Sequence, residues 1–197
     1  MRASTRREFV AGAAGRIECA VDQPDGAARG VALIAHPHPL FGGSLDNKVV
    51  QTLARAFIEL GYEAWRPNFR GVGQTEGMHD EGRGELEDLE TIVKALQAQT
   101  LIFAGFSFGA SLVAQLAQKR TPEWLVLVGV GITRIMAPPV PAGTLVIHGE
   151  NDDTVPLAAV MDWARPQELP VVVVPGADHF FHRKLHILRA LVQQNWK

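Results

Sequence analysis

Short, uninterrupted apolar runs alternate with helical patterns along most of this 197-residue chain. Val31–Ala35, Leu101–Gly105 and Trp124–Val128 are such runs, which are typical of strands that are covered on both faces. Asp46–Leu60 instead carries apolar residues at helical spacing, and Ser107–Lys119 is rich in Ala and Leu, which favour helices. Alternating strands and helices predict an α/β fold with a mostly parallel central sheet and helices on both faces.

The remaining segments extend this pattern. Two short strands at about Arg7–Gly12 and Arg16–Val21 predict an antiparallel hairpin near the N-terminus. The other predicted elements are the strands Glu63–Arg66, Thr144–His148 and Val171–Val174 and the helices Glu85–Ala98, Leu157–Trp163 and Phe180–Trp196. Functional residues of such sheets lie in loops at the carboxyl ends of the strands. The loops in question are 36–44, 67–84, 106–109, 129–136, 149–155 and 175–182.

The composition is typical of one soluble domain, and we expect residues 1–197 to form a single unit. The formal net charge of −2 provides no basic field for a phosphate backbone, so no nucleic-acid partner is expected. Trp124–Thr133 is the longest strongly apolar uncharged run and is far shorter than the roughly 20 residues of a spanning helix, so no membrane association is expected. Cys19 is the only cysteine, which argues against a disulfide framework and indicates a reducing, cytoplasmic location.

Gly105-Phe106-Ser107-Phe108-Gly109 is a G-x-S-x-G motif between a predicted strand and a predicted helix. A serine on so sharp a turn is crowded by the residues two before and two after it, and glycine at both positions relieves the crowding. With 19 glycines and four serines, chance would produce roughly 0.04 such motifs in this chain. Ser107 is therefore the candidate nucleophile, and the alternative is an ordinary N-cap serine in a tight turn.

A serine nucleophile needs a base and an acid that orients the base, and two later loops supply candidates. His179 follows the last predicted strand and is the candidate base. Asp152 stands four residues after His148, in a loop that precedes a helix, and is the candidate acid. Asp153 is the alternative acid, although we expect it to cap the turn into that helix.

The other titratable residues of these loops have simpler explanations. His148 ends a predicted strand and is expected to pack at the base of the acid loop. Asp178 is adjacent to His179 in sequence, and neighbouring residues rarely orient each other's side chains as an acid orients its base. Glu150 is the least favoured of the four candidate acids. His182 and His186 are four residues apart but lack the intervening Glu of a zinc-protease motif, which favours a solvated helix face over a metal pair.

The segment HPHPL at residues 36–40 follows a predicted strand and is the candidate oxyanion loop. A tetrahedral oxyanion needs two fixed N–H donors, and one should be the amide of Phe108, directly after the nucleophile. Proline has no N–H, which leaves the amides of His38 and Leu40 for the second donor, with His38 favoured. The ring of His36 is expected to hydrogen-bond loop backbone rather than to bind a metal with His38.

These motifs together resemble the α/β-hydrolase family, and the resemblance covers nearly the whole chain. It rests on the nucleophile turn Gly105–Gly109, the acid loop Gly149–Pro156 and the base loop Gly176–Phe181. The segments HPHPLFGGSLDNKVV and NFRGVGQTEG are similar to those of compact bacterial enzymes of esterase type, the dienelactone-hydrolase-like group.

The resemblance implies Ser107 as nucleophile, Asp152 as acid and His179 as base, in the chain order that the family uses. One departure is that His36-Pro37 stands where the family has His-Gly. This departure affects the identity of the oxyanion donor and leaves the fold expectation unchanged.

Family members often carry a helical lid between the sixth strand and the acid loop. Here residues 129–143 alone join two predicted strands, which predicts a lidless and open site. The expected walls of the site are the aromatic residues Phe41, Phe106, Phe108, Phe180 and Phe181. Without a lid, little binding energy comes from remote parts of a substrate, so a preference for short acyl groups is expected.

The expected function is that of a carboxylesterase that cleaves a small-molecule ester through an acyl-enzyme. A thioesterase, peptidase or perhydrolase could use the same residues, because loops set the substrate. An α/β protein without catalysis, which binds a small ligand or a partner, is the alternative from another class. Loop 67–84 has neither a G-K-[ST] ending nor G-x-G-x-x-G, so no nucleotide cofactor is expected and no metal is expected either. We expect a monomer or a weak homodimer.

Overall fold

The computed structural model describes residues 5–196, so the first four residues and Lys197 of the expected domain 1–197 lie outside the described residues. One eight-stranded sheet runs through the described part of the chain. Its strands are β1 (Arg6–Gly12), β2 (Gly15–Asp22), β3 (Val31–Ala35), β4 (Glu63–Pro67), β5 (Leu101–Phe106), β6 (Trp124–Val128), β7 (Leu145–Gly149) and β8 (Val171–Val174).

The strands lie in the order β1-β2-β4-β3-β5-β6-β7-β8. β1 and β2 form an antiparallel hairpin that closes between Gly12 and Gly15, and β2 also runs antiparallel to β4. The other neighbouring strands are parallel, as in the pairing of Ala35 with Gly105 at the centre of the sheet. The predicted fold class, a mostly parallel sheet with an antiparallel N-terminal hairpin, is confirmed.

Five α-helices connect the strands: α1 (Lys48–Glu59), α2 (Arg83–Leu96), α3 (Phe108–Lys119), α4 (Leu157–Ala164) and α5 (Leu185–Asn195). The first of them begins where the side chain of Asn47 accepts hydrogen bonds from two backbone N–H groups of the first turn. None of the helices within residues 5–196 is long and apolar enough to cross a membrane.

The last helix begins at Leu185, five residues later than the predicted start at Phe180. The backbone of Phe181 and of Arg183 is left-handed, with φ of 54° and 62°. A right-handed helix cannot pass through such residues, so the chain turns twice before α5 starts.

The side chain of Asp178 stabilises this turn. Asp178 Oδ1 accepts from the backbone N–H of His182 at 3.0 Å, and Asp178 Oδ2 accepts from the ring Nδ1–H of His182 at 2.7 Å. His182 therefore lies outside the helix, whereas His186 lies within it. The expectation that both histidines share one helical face is wrong.

Helices cover both faces of the sheet, as expected. α1 and α5 pack on one face, where Phe57 and Leu188 are buried. α2, α3 and α4 cover the other face, where Leu89, Leu112 and Val160 are buried. All six residues of β5 are buried between these layers. Because burial of a large apolar side chain contributes about 1.5–3 kcal/mol, the two layers hold the ends of the central strands firmly in place.

The strand order reverses between β3 and β5, since β4 lies on one side of β3 and the later strands lie on the other. Loops at the carboxyl ends of strands form a crevice at such a switch point. Residues 129–143, which join β6 to β7, consist of turns and irregular backbone, so this connection supplies no lid over the crevice.

Candidate active site

Ser107 lies on the sharp turn between β5 and α3. Its backbone has φ 56° and ψ −118°, which is strained for a residue with a side chain. The Ser107 N–H donates to the carbonyl of Val128 at 2.9 Å, and the Ser107 carbonyl accepts from the N–H of Gly131 at 3.1 Å. These bonds to the neighbouring loop hold the strained turn and keep the serine at the carboxyl end of β5.

The glycines on either side of the serine leave no room for a side chain. A Cβ on Gly105 would lie 2.5 Å from the carbonyl carbon and oxygen of Gly109, and a Cβ on Gly109 would lie 2.4 Å from the carbonyl oxygen of Ala35. Both glycines therefore allow α3 to approach the strands closely. Glycine is required at both positions as the motif predicts, but the crowding is with the backbone of Gly109 and of Ala35 rather than with the serine itself.

A hydrogen-bonded chain runs from the serine to a buried carboxylate. Ser107 Oγ lies 3.0 Å from His179 Nε2, and His179 Nδ1 lies 2.6 Å from Asp152 Oδ2. His179 and Asp152 are buried, whereas Ser107 is partly exposed. Loops after β5, β7 and β8 thus bring a hydroxyl, an imidazole and a carboxylate together from distant parts of the sequence.

The two oxygens of Asp152 have different partners. Oδ2 faces His179, whereas Oδ1 accepts from the N–H groups of Thr154 and Val155 at 3.0 and 2.7 Å. Burial acts to raise the pKa of Asp152, but the hydrogen bonds from His179 and the Val155 N–H outweigh it and lower the pKa below its ordinary value. Asp153 is exposed and bonds to the Thr154 hydroxyl at 3.3 Å. The expectation that Asp153 caps this turn is wrong, because Asp152 does so.

Two further contacts support the acid and base loops. His148 is buried, and its Nε2–H donates to the carbonyl of Val155 at 2.9 Å, as expected for a residue at the base of the acid loop. Burial lowers the pKa of His148, so its ring is neutral at neutral pH. Glu150 accepts from the N–H of Gly176 at 2.7 Å and joins the acid loop to the base loop.

The candidate oxyanion donors flank the serine. Phe108 is the first residue of α3, so its N–H has no acceptor within the helix. The His38 carbonyl accepts from the N–H groups of Phe41 and Gly43, at 3.1 Å each, which closes the oxyanion loop. The Leu40 amide donates to His38 Nδ1 at 3.3 Å, so this alternative donor is already engaged. The His38 amide stays the candidate for the second donor.

His36 anchors the start of the oxyanion loop. Its Nδ1–H donates to the carbonyl of Pro37 at 2.6 Å, and its Nε2 accepts from the N–H of Phe69 at 2.9 Å. Complete burial lowers the pKa of His36 to about 3, which keeps the ring neutral. Both ring nitrogens bond to backbone, as expected, so they do not serve a metal pair with His38. Among residues 5–196, no three His, Cys, Asp or Glu side chains are grouped as metal ligands.

The ring of His38 is held in place by two neighbouring rings and by a buried carboxylate. It packs against the rings of Phe108 and His79, with centroids 4.7 and 4.8 Å apart. His79 Nδ1 lies 3.0 Å from a carboxylate oxygen of Glu85, which is completely buried and also accepts from the N–H of Gly82 at 2.8 Å. Loop 67–84 thus positions the oxyanion loop.

A cleft of about 260 Å³ opens over Ser107. Phe108 lines it, together with Phe41 and Phe180, which are 67% and 44% exposed. Three of the five expected aromatic residues therefore face the cleft.

Phe106 and Phe181, which were also expected in the wall, are completely buried and do not line the cleft. Phe106 ends β5, and its side chain enters the layer under α1 and α5, where its ring packs against His179. Phe181 packs into the same layer beside Leu188. Adjacency to a catalytic residue in sequence does not decide the direction of a side chain, since Phe108 lines the cleft whereas Phe106 and Phe181 enter the core.

Several polar residues of the cleft were not singled out by sequence reasoning, although two of them lie within the quoted segments. These residues are Asn47, Thr133, Arg134 and Thr154. The loop rule indicated residues 129–136 and 149–155 but not which side chains face the serine, since that depends on the path of each loop.

The fold, the strained serine turn and the open cleft are those of an α/β hydrolase without a lid. A family model described as the alpha/beta hydrolase fold matches residues 38–143 of the chain. The chain belongs to this family.

Three proteins that are similar to this chain over most of its length show which members of the family it resembles. A crystal structure of an α/β serine hydrolase without a lid, from Xanthomonas campestris, is 36% identical, with a TM-score of 0.91 over 99% of this chain and 94% of that one. An α/β serine hydrolase homologue from Coxiella burnetii is also 36% identical, with a TM-score of 0.88 over 98% and 97% of the two chains. An uncharacterized protein of Rickettsia prowazekii (strain Madrid E) is 33% identical over 196 residues, 89% of this chain and 82% of that protein. The chain is thus similar to compact serine hydrolases.

Proposed function

We propose that this protein is a carboxylesterase that hydrolyses small esters of short acyl groups through an acyl-enzyme. The observation that carries the proposal is the hydrogen-bonded chain from Asp152 through His179 to Ser107, which ends in an open cleft. Nucleophile, base and acid of a serine hydrolase need this order of contacts.

In the first step, Ser107 Oγ attacks the ester carbonyl while His179 Nε2 accepts the hydroxyl proton. The imidazolium that forms keeps its Nδ1–H on Asp152, whose lowered pKa leaves it ionised and able to stabilise the positive ring. The alcohol then leaves with the proton from Nε2. Water, deprotonated by the same nitrogen, attacks the acyl-enzyme and releases the acid.

The oxyanion of each tetrahedral intermediate is bound by the backbone N–H groups of Phe108 and His38. The Phe108 N–H is at the positive end of α3, which adds to its strength as a donor. Removal of one such donor typically costs about 100–1,000-fold in kcat, so the two amides supply a large share of the catalysis.

The cleft favours a small substrate. Its volume of about 260 Å³ lies just below the roughly 300–1,000 Å³ that is usual for ligand sites, and residues 129–143 supply no lid to cover a long chain. Phe41 and Phe180 offer apolar contact to a short acyl group, and a longer chain would extend into water.

Labelling with a fluorophosphonate tests the proposal most directly. We expect one adduct per chain on Ser107, detected by intact mass and peptide mapping, together with hydrolysis of a 4-nitrophenyl acetate or butyrate ester. Ser107→Ala should abolish both signals, and His179→Ala should remove nearly all labelling. Ser111→Ala, a buried serine one turn further along α3, is the matched control and should keep both. A folded wild-type protein without adduct and without turnover would overturn the proposal.

A further inference from the structure

The cleft over Ser107 has an asymmetric charge. The cleft is lined by one arginine, Arg134, whose guanidinium is permanently charged. Among residues 5–196, no Asp or Glu lines the cleft. The polar groups around it are Asn47, Thr133 and Thr154, which all carry N–H or O–H donors. A cleft of this kind attracts a negatively charged group more than a neutral or positive one.

The position of Arg134 is defined by its surroundings. Its guanidinium carbon lies 4.6 Å from the ring centroid of Phe41, an aromatic residue of the same cleft. Its backbone N–H donates to the carbonyl of Gly131 at 3.1 Å, and Gly131 in turn bonds to the backbone of Ser107. The ring contact orients the guanidinium and leaves its N–H edge free to bind a ligand.

Arg134 has no acidic partner among residues 5–196, where no carboxylate oxygen lies within 4.0 Å of its nitrogens. Glu81 shares with it the groove beside the cleft but forms no ion pair with it. Several arginines among residues 5–196 form ion pairs with carboxylates, as Arg70 does with Asp88 at 2.9 Å. An unpaired arginine that lines a cleft is available to a charged substrate.

We infer that Arg134 selects ester substrates that carry a carboxylate, such as a monoester of a short dicarboxylic acid. The inference rests on the proposed function, because it concerns the substrate of the same site. A guanidinium binds a carboxylate through two parallel hydrogen bonds, which fixes the orientation of the substrate as well as its charge. A carboxylate fits better than a phosphate dianion, because Arg134 alone balances one negative charge and the neighbouring His38, whose pKa is lowered by burial, is neutral.

The test compares matched charged and neutral esters. Monoethyl glutarate and ethyl 4-carbamoylbutanoate differ only by a carboxylate or an amide on the acyl side, and acetylglycolate and acetylglycolamide differ in the same way on the alcohol side. The readout is the ratio of kcat/KM for the charged ester to kcat/KM for the neutral ester. We expect this ratio to exceed about 10 in one of the two series and to fall as ionic strength rises.

Substitutions at Arg134 and at Arg55 distinguish a direct contact with the substrate carboxylate from an effect of the protein's net charge. Arg134→Gln should lower the ratio about tenfold and remove its salt dependence, and Arg134→Lys should retain part of it, because the charge stays while the two-bond geometry is lost. Arg55→Gln removes the same charge from an exposed position on α1 outside the cleft, so the ratio should stay unchanged.

The outcomes distinguish this inference from the proposed function. Hydrolysis of both esters with a ratio near one in both series, or an equal effect of R134Q and R55Q, would overturn the role of Arg134 and leave the esterase proposal standing. Absence of turnover on every ester together with absence of a fluorophosphonate adduct would overturn both.

Discussion

The ring of Phe106 packs against the imidazole of His179, with centroids 4.8 Å apart and an angle of 37° between the planes. The ring of Phe180 meets the same imidazole edge-on at 5.2 Å. Both contacts restrict rotation of the imidazole, whose two nitrogens must reach Ser107 and Asp152 at once. Orientation of the candidate base is therefore an aromatic packing effect as well as a hydrogen-bonding effect.

Replacement of Phe106 by Leu should lower kcat roughly tenfold, because the imidazole gains freedom and is less often aligned with the serine. The preference among acyl groups should stay the same, since Phe106 does not line the cleft. Phe41→Ala is the matched control, because it removes a wall of the cleft and should change the ratio of kcat/KM for hexanoate and acetate esters. A change of this ratio in Phe106→Leu would mean that Phe106 contacts the substrate.

Asp152→Asn should lower kcat by about 10³–10⁴-fold with little loss of fold, as removal of the orienting carboxylate does in serine hydrolases generally. The amide oxygen can still accept from the N–H groups of Thr154 and Val155, so the acid loop keeps its shape. Asp153→Asn should retain nearly full activity. Kinetics with a 4-nitrophenyl ester and circular dichroism of both variants check this, and a greater loss in Asp153→Asn would reverse the assignment of the acid.

Gly105→Ala should destabilise the fold by about 1–3 kcal/mol or more and abolish fluorophosphonate labelling, because the new Cβ would overlap the backbone of Gly109. Gly143→Ala adds the same methyl group where nothing lies within 4 Å and should change the free energy of unfolding by less than about 0.5 kcal/mol. Urea unfolding of the two variants provides the comparison. Equal stability would show that the close approach of α3 to β5 is not needed.

The rate constant kcat/KM should be highest for acetyl to butyryl esters and should fall for longer acyl chains, because the cleft is small and residues 129–143 supply no cover. A series of 4-nitrophenyl esters from acetyl to dodecanoyl, measured below the critical micelle concentration, checks the order. A steady rise along the series would contradict the short-acyl preference.

Protonation of the buried His36 should make stability depend on pH. The folded pKa of about 3 lies below the ordinary value of 6.5, so the unfolded chain binds a proton that the folded chain does not. The neutral His36 ring makes its full contribution to the free energy of unfolding above about pH 6.5. This contribution is lost as the pH falls towards 3, and at pH 5 the free energy of unfolding is lower by about 2 kcal/mol. Urea unfolding at pH 7.5, 6 and 5 measures this slope.

His36→Asn should be less stable than the wild type at pH 7.5 but should lose less on acidification. Some slope should persist, because burial also lowers the pKa of His148. His186→Asn, at an exposed position of α5, should keep the full slope. Equal slopes for the two variants would rule out His36 as the source of the pH dependence.

Much of the fold could be predicted from the sequence because its causes are local. Apolar runs such as Val31–Ala35 and Trp124–Val128 form strands within the bounds that the pattern predicts. The G-x-S-x-G motif predicts its own turn, because both glycines lie within two residues of Ser107 and a Cβ on Gly105 would overlap the backbone of Gly109. The close approach of Gly109 to Ala35 is instead a tertiary contact. The loops that follow strands were correct candidates because parallel strands end at one edge of a sheet.

The sequence by itself determined the α/β architecture and the serine turn, whereas only the tertiary structure decided the directions of side chains around the cleft. Phe106 and Phe181 point into the core, Asp152 rather than Asp153 caps the acid loop, and Arg134 reaches the cleft from an irregular loop. The physical reason is that periodicity fixes side-chain direction only in helices and strands with one buried face, whereas β5, which ends at Phe106, is buried throughout. In turns and irregular loops the direction depends on individual φ and ψ values and on packing between distant segments.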